Sequence, residues 1–393
     1  MTTTVKYFHS AMTGAPVLSG TAGALIAVLD ACLVNGFGLK TADSVVVSGG
    51  IATATFSTGH SFEPDVIALV TGATPSGLNG EKRVLTTITN SITFDATDIA
   101  DGTATGAITF KVAPAGWGKP FSGTNLAAYR PGDVTSTRMF LRVDDTGTTV
   151  ARVVGYESMS DITSGLGPFP TEAQSEGGGY WSKSNVANAT PRSWTVVSDG
   201  KTFWLHTHTA DSLVVKAGAI RGFGDFTSLK SGDAFACSLL AGISDTSGQS
   251  AGSDYYDLEF QAPNGVPGPW LARSYTGVGS SVVGTRFVEM GGASISGASG
   301  ALNFATAPSY PNGPDNSLIL SRTLIVQGGA ALRGMARGAL HAVQNLHTSF
   351  AHLDKVPGQG EYAGRKLLAV KCGAAAGNTS LGVMFFDITG PWG

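Results

Sequence analysis

Two histidines spaced two apart, His206 and His208 in TFWLHTHT (residues 202–209), are the residues whose types and spacing could hold a metal. On an extended strand side chains alternate between faces, so Trp204, His206 and His208 share one face while Phe203, Leu205 and Thr207 share the other. That geometry sets two imidazoles side by side, but a catalytic metal needs a third protein ligand and an open position. The other histidines, His9, His60, His341, His347 and His352, stand in no ligand spacing with this pair. Neither a His-Glu-x-x-His helix signature nor an Asp-x-Asp loop occurs. The pair therefore reads as a polar strand face beside Trp204, exposed enough that changing both histidines would leave stability nearly unaltered. No metal and no cofactor are expected.

Other chemistry-bearing stretches lack a necessary member. GHSFE (Gly59–Glu63) begins like a nucleophile elbow, but Glu63 stands where a glycine must keep the turn tight. GWGKP (Gly116–Pro120) has Pro120 where a phosphate loop needs Ser or Thr for magnesium. GVGSSVVG (Gly277–Gly284) has the wrong glycine spacing for a dinucleotide loop. Asp254 and Asp257 in DYYD would point to opposite faces of a strand and make no acid/base pair. No catalytic residue is nominated. Tyr180 and Trp181, in the glycine-rich GGGYWSKSN, are the candidate contacts for a glycan or receptor, because an exposed aromatic offers an apolar face with a polar edge.

The elements that would position these residues are mostly strands. From residue 44 the hydrophobic period is two: SVVVS, a Gly-Gly turn and IATATFS read as a hairpin, followed by DVIALV, KRVLTTIT, ITFDAT and GAITFKVA. Short β-rich runs separated by turn chemistry predict a small sandwich or barrel. Residues 114–133 read as a boundary or long connection, and 165–185 as a glycine-rich loop. Strands resume at RMFLRVDD, VARVVGYES, SWTVVS and KTFWLHTHT, the last two joined at Asp199-Gly200 by a predicted type I′ turn. DAFACSLLAGIS and SLILSRTLIVQ are further strands, 291–315 a loop, and 330–350 a helix weakened by Gly334 and Gly338. One amphipathic helix is expected near the N-terminus, in GALIAVLDACLV. Ser19 or Thr21 would cap it, Asn35-Gly36 would stop it, and Leu25, Leu29 and Leu33 would form its apolar face. The flanks of that helix are loop-like, so the face is expected to dock on another chain or on the base of the β module.

The fold class expected is mainly β and multi-domain: small β-sandwich or barrel modules with a short N-terminal helix. The divisions are an arm and docking helix (1–40), a small β module (41–118), a central β-sandwich (119–265) and a C-terminal β-rich region with loops (266–393). Composition narrows function. Of 393 residues only 13% are charged, against the usual ~25%, and glycine, at 54 residues, is about twice its ordinary share. Charge depletion on this scale marks surfaces that face other subunits. The net charge of −3, without a basic run, leaves no electrostatic footprint for nucleic acid. Cys32, Cys237 and Cys372 are too scattered for a disulfide framework or zinc cluster. The most apolar segment is short and carries Asp30, so neither a signal peptide nor a membrane span is expected.

Several stretches together resemble a known kind of protein. KYFHSAMTGAPVLSGTAGALIAVLDACLVNGFG (6–38) resembles the start of proteins encoded in the structural-gene regions of tailed bacteriophages and prophages. GHSFEPDVIALVTGATPSGLNGEKRVLTTITNSITFDAT (59–97) is similar to a small β module of phage tail and surface proteins, as are WTVVSDGKTFWL (194–205) and FFDITGPWG (385–393) to segments of such proteins. The resemblance covers about a quarter of the chain and carries over no catalytic residue. It implies a non-enzymatic virion subunit of the tail tip or baseplate, made in the bacterial host cytoplasm. Such a subunit would form a symmetric oligomer with copies of itself and other virion proteins. A receptor- or glycan-binding tail protein and a capsid decoration protein are the alternatives.

Overall fold

A computed structural model describes residues 5–60, 62–210, 218–242, 269–288, 308–328, 331–344, 346, 349–373 and 381–393. Asp254, Asp257, His347, Ser61 and most of the loop expected over 291–315 lie outside them. The chain is mainly β, with several sheets and one short helix.

The first sheet has the order Phe37–Thr41, Thr109–Val112, Ile67–Thr71, Gly80–Ile88, Ser91–Asp95, Ile51–Thr55, Ser44–Ser48 and Gly102–Thr103. Gly80–Ile88 belongs to both halves: its first residues pair with Ile67–Thr71 and its last with Ser91–Asp95, on either side of a bulge between Val84 and Thr86. Bulges bend and twist strands. Here the two halves face each other, with Phe94 of one meeting Phe110 of the other at a ring separation of 6.0 Å. The period-two pattern is the cause: Val45, Val47, Ala52, Ala54, Ile92 and Phe94 point inward and are buried. Gly49 and Gly50 both take positive φ and turn the expected hairpin.

The second sheet runs Gly118–Gly123, Leu126–Arg130, Phe140–Asp144 and Val150–Met159, with Gly165–Phe169 and Gly179–Ser182 along the remaining edge of that last strand. Two readings are corrected here. Residues 114–133 contain a hairpin, turned at Asn125 with φ 54°, and 165–185 contribute two strands. Glycines of the second segment are close-packing sites: a Cβ on Gly165 would come within 2.5 Å of the Tyr156 ring, and one on Gly178 within 2.5 Å of the Val153 carbonyl oxygen.

The third sheet is the longest, and takes Lys6–His9 at one edge. Next to it come Ser193–Ser198, Thr202–His208, Ala219–Asp225, Cys237–Leu240, Trp270–Leu271 and Val282–Val288. Leu320–Gln327, Ala331–Ala342, Leu381–Asp387, Lys366–Gly373 and Lys355–Pro357 complete it. Thr227–Ser228, continuing Ala219–Asp225, pairs with Gly334 and Met335, so the run of strands from Ala219 to Ala342 closes on itself. The helix expected over 330–350 is thus a strand at Ala331–Ala342. Gly334 is needed there, since a Cβ would lie 2.1 Å from the Thr227 carbonyl oxygen. The Asp199-Gly200 hairpin forms, but neither residue has positive φ. The Asp199 carboxylate instead accepts the Lys201 and Thr202 N–H groups at 2.8 and 2.7 Å, which does the work assigned to a type I′ turn.

The helix is Ala24–Leu29, continued in a wider π turn through Asn35 and ended by Gly36 at φ 71°. Ser19 and Thr21 do not cap it; their hydroxyls bond each other at 2.9 Å. One apolar core runs through the helix and all three sheets, and a smaller one lies around Leu340, Phe350 and Phe385. The three cysteines are buried free thiols.

Candidate functional site

The strand Thr202–His208 alternates as the sequence requires, but it has no wet face. Phe203 meets Trp117 and Trp181 edge-on at 5.2 and 5.8 Å, and Thr207 donates its hydroxyl to the Ser182 carbonyl at 2.9 Å, all toward one side. On the other side Trp204 donates to the Arg337 carbonyl at 2.9 Å, and the His206 ring lies 4.9 Å from that of His352. His206 is 2% exposed and His208 fully buried, which overturns the exposed polar face. The reason is topological: the strand is internal to the third sheet, with the second sheet on one face and the C-terminal strands on the other.

His352 has a defined tautomer. Its Nδ1 accepts the Lys371 N–H at 3.3 Å, so Nε2 carries the proton and donates to Thr195 Oγ1 at 3.2 Å. Neither ring nitrogen of His206 reaches a hydrogen-bond partner of good geometry. Burial holds His206 well below its ordinary pKa of 6.5, and His352, His208 and Arg221 push the same way. Among the described residues no group of three or more His, Cys, Asp or Glu side chains is placed to hold a metal.

A pH dependence follows. The folded state keeps His206 neutral while the unfolded chain protonates it near pH 6.5, so stability is full above that pH and falls as pH drops below it. Asp225 opposes this. Burial lifts its carboxyl to about 6, so it contributes stability at low pH that is lost as pH rises from 3.8 through 6. Melting temperature measured from pH 8 to pH 5 should fall toward acid. His206→Leu should flatten the fall and Asp225→Asn should steepen it; an unchanged slope in the His206 variant would refute the assignment.

The remaining candidates are placed as follows. Leu25 and Leu29 are 1% and 0% exposed and Leu33 is fully buried, so the helix face is covered by the chain itself and is not a surface for another chain. Trp181 is also fully buried, with its Nε1 donating to the Leu240 carbonyl at 2.9 Å; it cannot stack on a glycan or receptor. Its neighbour Tyr180 is half-buried beneath the Arg152 guanidinium, 3.8 Å from the ring centre. Trp117, Trp194, Trp204, Trp270 and Trp392 are buried too, which removes the exposed-tryptophan reading. His60, in the elbow-like stretch, accepts the Phe62 N–H and donates to the Ile88 carbonyl at 2.6 Å. Lys119, in the phosphate-loop-like stretch, pairs with Asp30 at 2.6 Å.

A cleft of about 1090 Å³ opens where the first sheet meets the other two, lined by Lys6, Glu81, Arg83, Asp95 and Asp133 among others. Sequence reasoning did not find it, because its residues come from distant strands. Each of these charges has its own partner. Lys6 pairs with Glu81 at 2.6 Å, and Arg83 donates to the carbonyls of Asp65, Ile388 and Thr389. Hydrogen bonds from Thr97 hold the Asp95 carboxyl below its usual range, and Thr135 donates to Asp133. The cleft is a cross-braced seam between sheets.

No protein-family model matches the chain, and no curated protein matches it.

Proposed function

We propose that the chain is a non-enzymatic structural subunit of a tailed-phage particle, of the tail tip or baseplate, that assembles with copies of itself. The observation that carries this reading is the outward face of the first sheet. Val46, Ser48, Ile51, Thr53, Thr55, Ser91, Thr93, Thr86 and Ile88 occupy it, with Val46 paired to Thr53, Thr53 to Thr93 and Thr93 to Thr86 in one row. Val46, Ile51 and Ile88 are 41%, 38% and 71% exposed, and none of these nine positions is charged. This open face carries a single charge in these rows, Asp95 opposite Ile51, and is otherwise apolar or hydroxylated, which matches the charge-poor composition of subunit contacts. The ion pairs support the same reading, because they brace one sheet against the next: Lys366 with Asp65 and Arg273 with Glu157. The resemblance of residues 6–38 and 59–97 to phage structural proteins supplies the kind of particle.

The occupant of the face is a second copy of this chain. Sedimentation of the purified protein should give a multiple of the 40.1 kDa chain mass. Ile51→Lys with Ile88→Lys should reduce it to the monomer. Substitutions at such exposed positions usually change stability by only about 0.5 kcal/mol, so melting should be unaltered. A monomeric wild-type chain that is also missing from purified particles of its source would refute the proposal.

A further inference from the structure

Among the described residues Asp145 and Lys183 form the most deeply buried ion pair, both side chains being 0% exposed. Asp145 follows the strand Phe140–Asp144 and Lys183 follows Gly179–Ser182; these strands flank Val150–Met159 on its two edges. The backbone fixes both residues. Asp145 N–H donates to the Asn125 carbonyl at 2.8 Å, the Asp145 carbonyl accepts the Gly23 N–H at 2.9 Å, and Lys183 N–H donates to the Thr149 carbonyl at 2.9 Å.

The two carboxylate oxygens are treated differently. Oδ1 is in direct contact with Lys183 Nζ, which also donates to the Thr21 carbonyl at 2.7 Å. Oδ2 accepts the backbone N–H groups of Leu25 and Ile26 at 2.7 and 3.2 Å. One oxygen therefore faces an amine, and the other faces two fixed donors. Burial raises the Asp145 carboxyl and lowers the Lys183 amine, while their mutual contact opposes both shifts. The net shift of each is in the direction of the uncharged form.

We propose that Lys183 and Asp145 condense into an intramolecular isopeptide bond, making residue pair 145/183 a self-catalysed cross-link between the two strands that flank Val150–Met159. The step balances without any co-reactant. A proton passes from Nζ to Oδ1, giving a neutral amine and a neutral acid. The amine attacks Cγ, and charge developing on Oδ2 is held by the Leu25 and Ile26 N–H groups, aimed as donors at a developing oxyanion must be. A second Nζ proton moves to Oδ1, the Cγ–Oδ1 bond breaks, and water leaves. Amine and acid become amide and water, with net charge zero throughout. In water this reaction is suppressed because both groups are ionised. Here desolvation favours the neutral pair, and enforced proximity supplies the large effective concentration of intramolecular reactions. The product also removes two buried charges whose desolvation is expensive. Tyr129, whose hydroxyl donates to Asp30 at 2.8 Å, stands on the same side of the sheet as a further polar support to the helix.

Intact mass spectrometry of the folded, purified full chain under denaturing conditions tests this. The expected mass is lower than the sequence mass by one water. Digestion should yield a branched peptide joining the segment containing Asp145 to that containing Lys183. Lys183→Arg keeps the ion pair and cannot form the bond, so that variant should show the full sequence mass. Dehydration at Asp101-Gly102 or Asp199-Gly200 would also remove a water. It would persist in Lys183→Arg, would be cleaved by hydroxylamine, and would count against the cross-link. A folded wild-type chain at full sequence mass overturns the proposal, whatever the chain's role in a particle.

Discussion

Leu29→Asp should abolish cooperative folding of the chain, and should not yield a folded chain that merely fails to assemble. Leu29 is fully buried beside Val28, Cys32 and Leu33, inside the core shared by all three sheets. The substitution removes a leucine from a close-packed site, which costs about 2–5 kcal/mol. It also buries a carboxylate with no cation provided for it, which adds several kcal/mol more. A domain with a total stability of about 5–15 kcal/mol does not absorb that sum readily. The helix cannot relieve it by swinging outward, because Asp145 grips the N–H groups of Leu25 and Ile26, and Asp30 is tied to Lys119 and to the Tyr129 hydroxyl. Circular dichroism melts and soluble yield read the result. A variant with native melting that sediments as a monomer would restore the helix face to an interface between chains.

How far the sequence carried depended on which surfaces were wet. Residues 44–112 were legible because each strand of the first sheet has one solvated face, so Val45, Val47, Ala52 and Ala54 alternate with exposed or half-exposed neighbours. In the third sheet Ser193–Ser198 and Thr202–His208 are buried on both faces, so hydrophobic period still identified strands but could not say what covered them. That is why His206 was read as exposed. Ala331–Ala342 was read as helix for a related reason. It is a largely buried strand rich in Ala, Leu, Arg and Gly, and its glycines are there to admit the Thr227 backbone and the Trp392 ring. Trp181 was misread from its glycine and serine neighbours, which in the fold permit tight packing of strands. The helix cap could not be found at all: the residue that fills it lies 120 positions away, just past the end of a strand of another sheet. A separation of 38 positions likewise hid the pairing of Asp145 with Lys183.

Arg337→Met should cost about 3–5 kcal/mol, the range for removing one member of a buried ion pair. The guanidinium joins three distant segments. It donates to the Asp199 carboxylate at 2.7 Å, to the Trp392 carbonyl at 2.9 Å and to the Gly393 carbonyl at 3.0 Å. Asp199 is 4% exposed and Arg337 is 9% exposed, so water cannot take the place of the lost partner. Methionine fills much the same volume, so the penalty comes from the stranded carboxylate and the unpaired Trp392 carbonyl, with little from a cavity; the Gly393 carbonyl keeps the Thr227 hydroxyl. That cause can be isolated with a second change. Asp199→Asn removes the charge but keeps a side-chain oxygen for the Lys201 and Thr202 N–H groups that shape the turn. Added to Arg337→Met, it should recover a substantial part of the loss, giving a coupling energy of about 1–3 kcal/mol between the two sites. Denaturant unfolding of the four proteins in the cycle measures it. Additive effects would mean that Arg337 acts through Trp392 and Gly393 alone, and the brace would then run from the strand Ala331–Ala342 to the last residues of the chain without the hairpin.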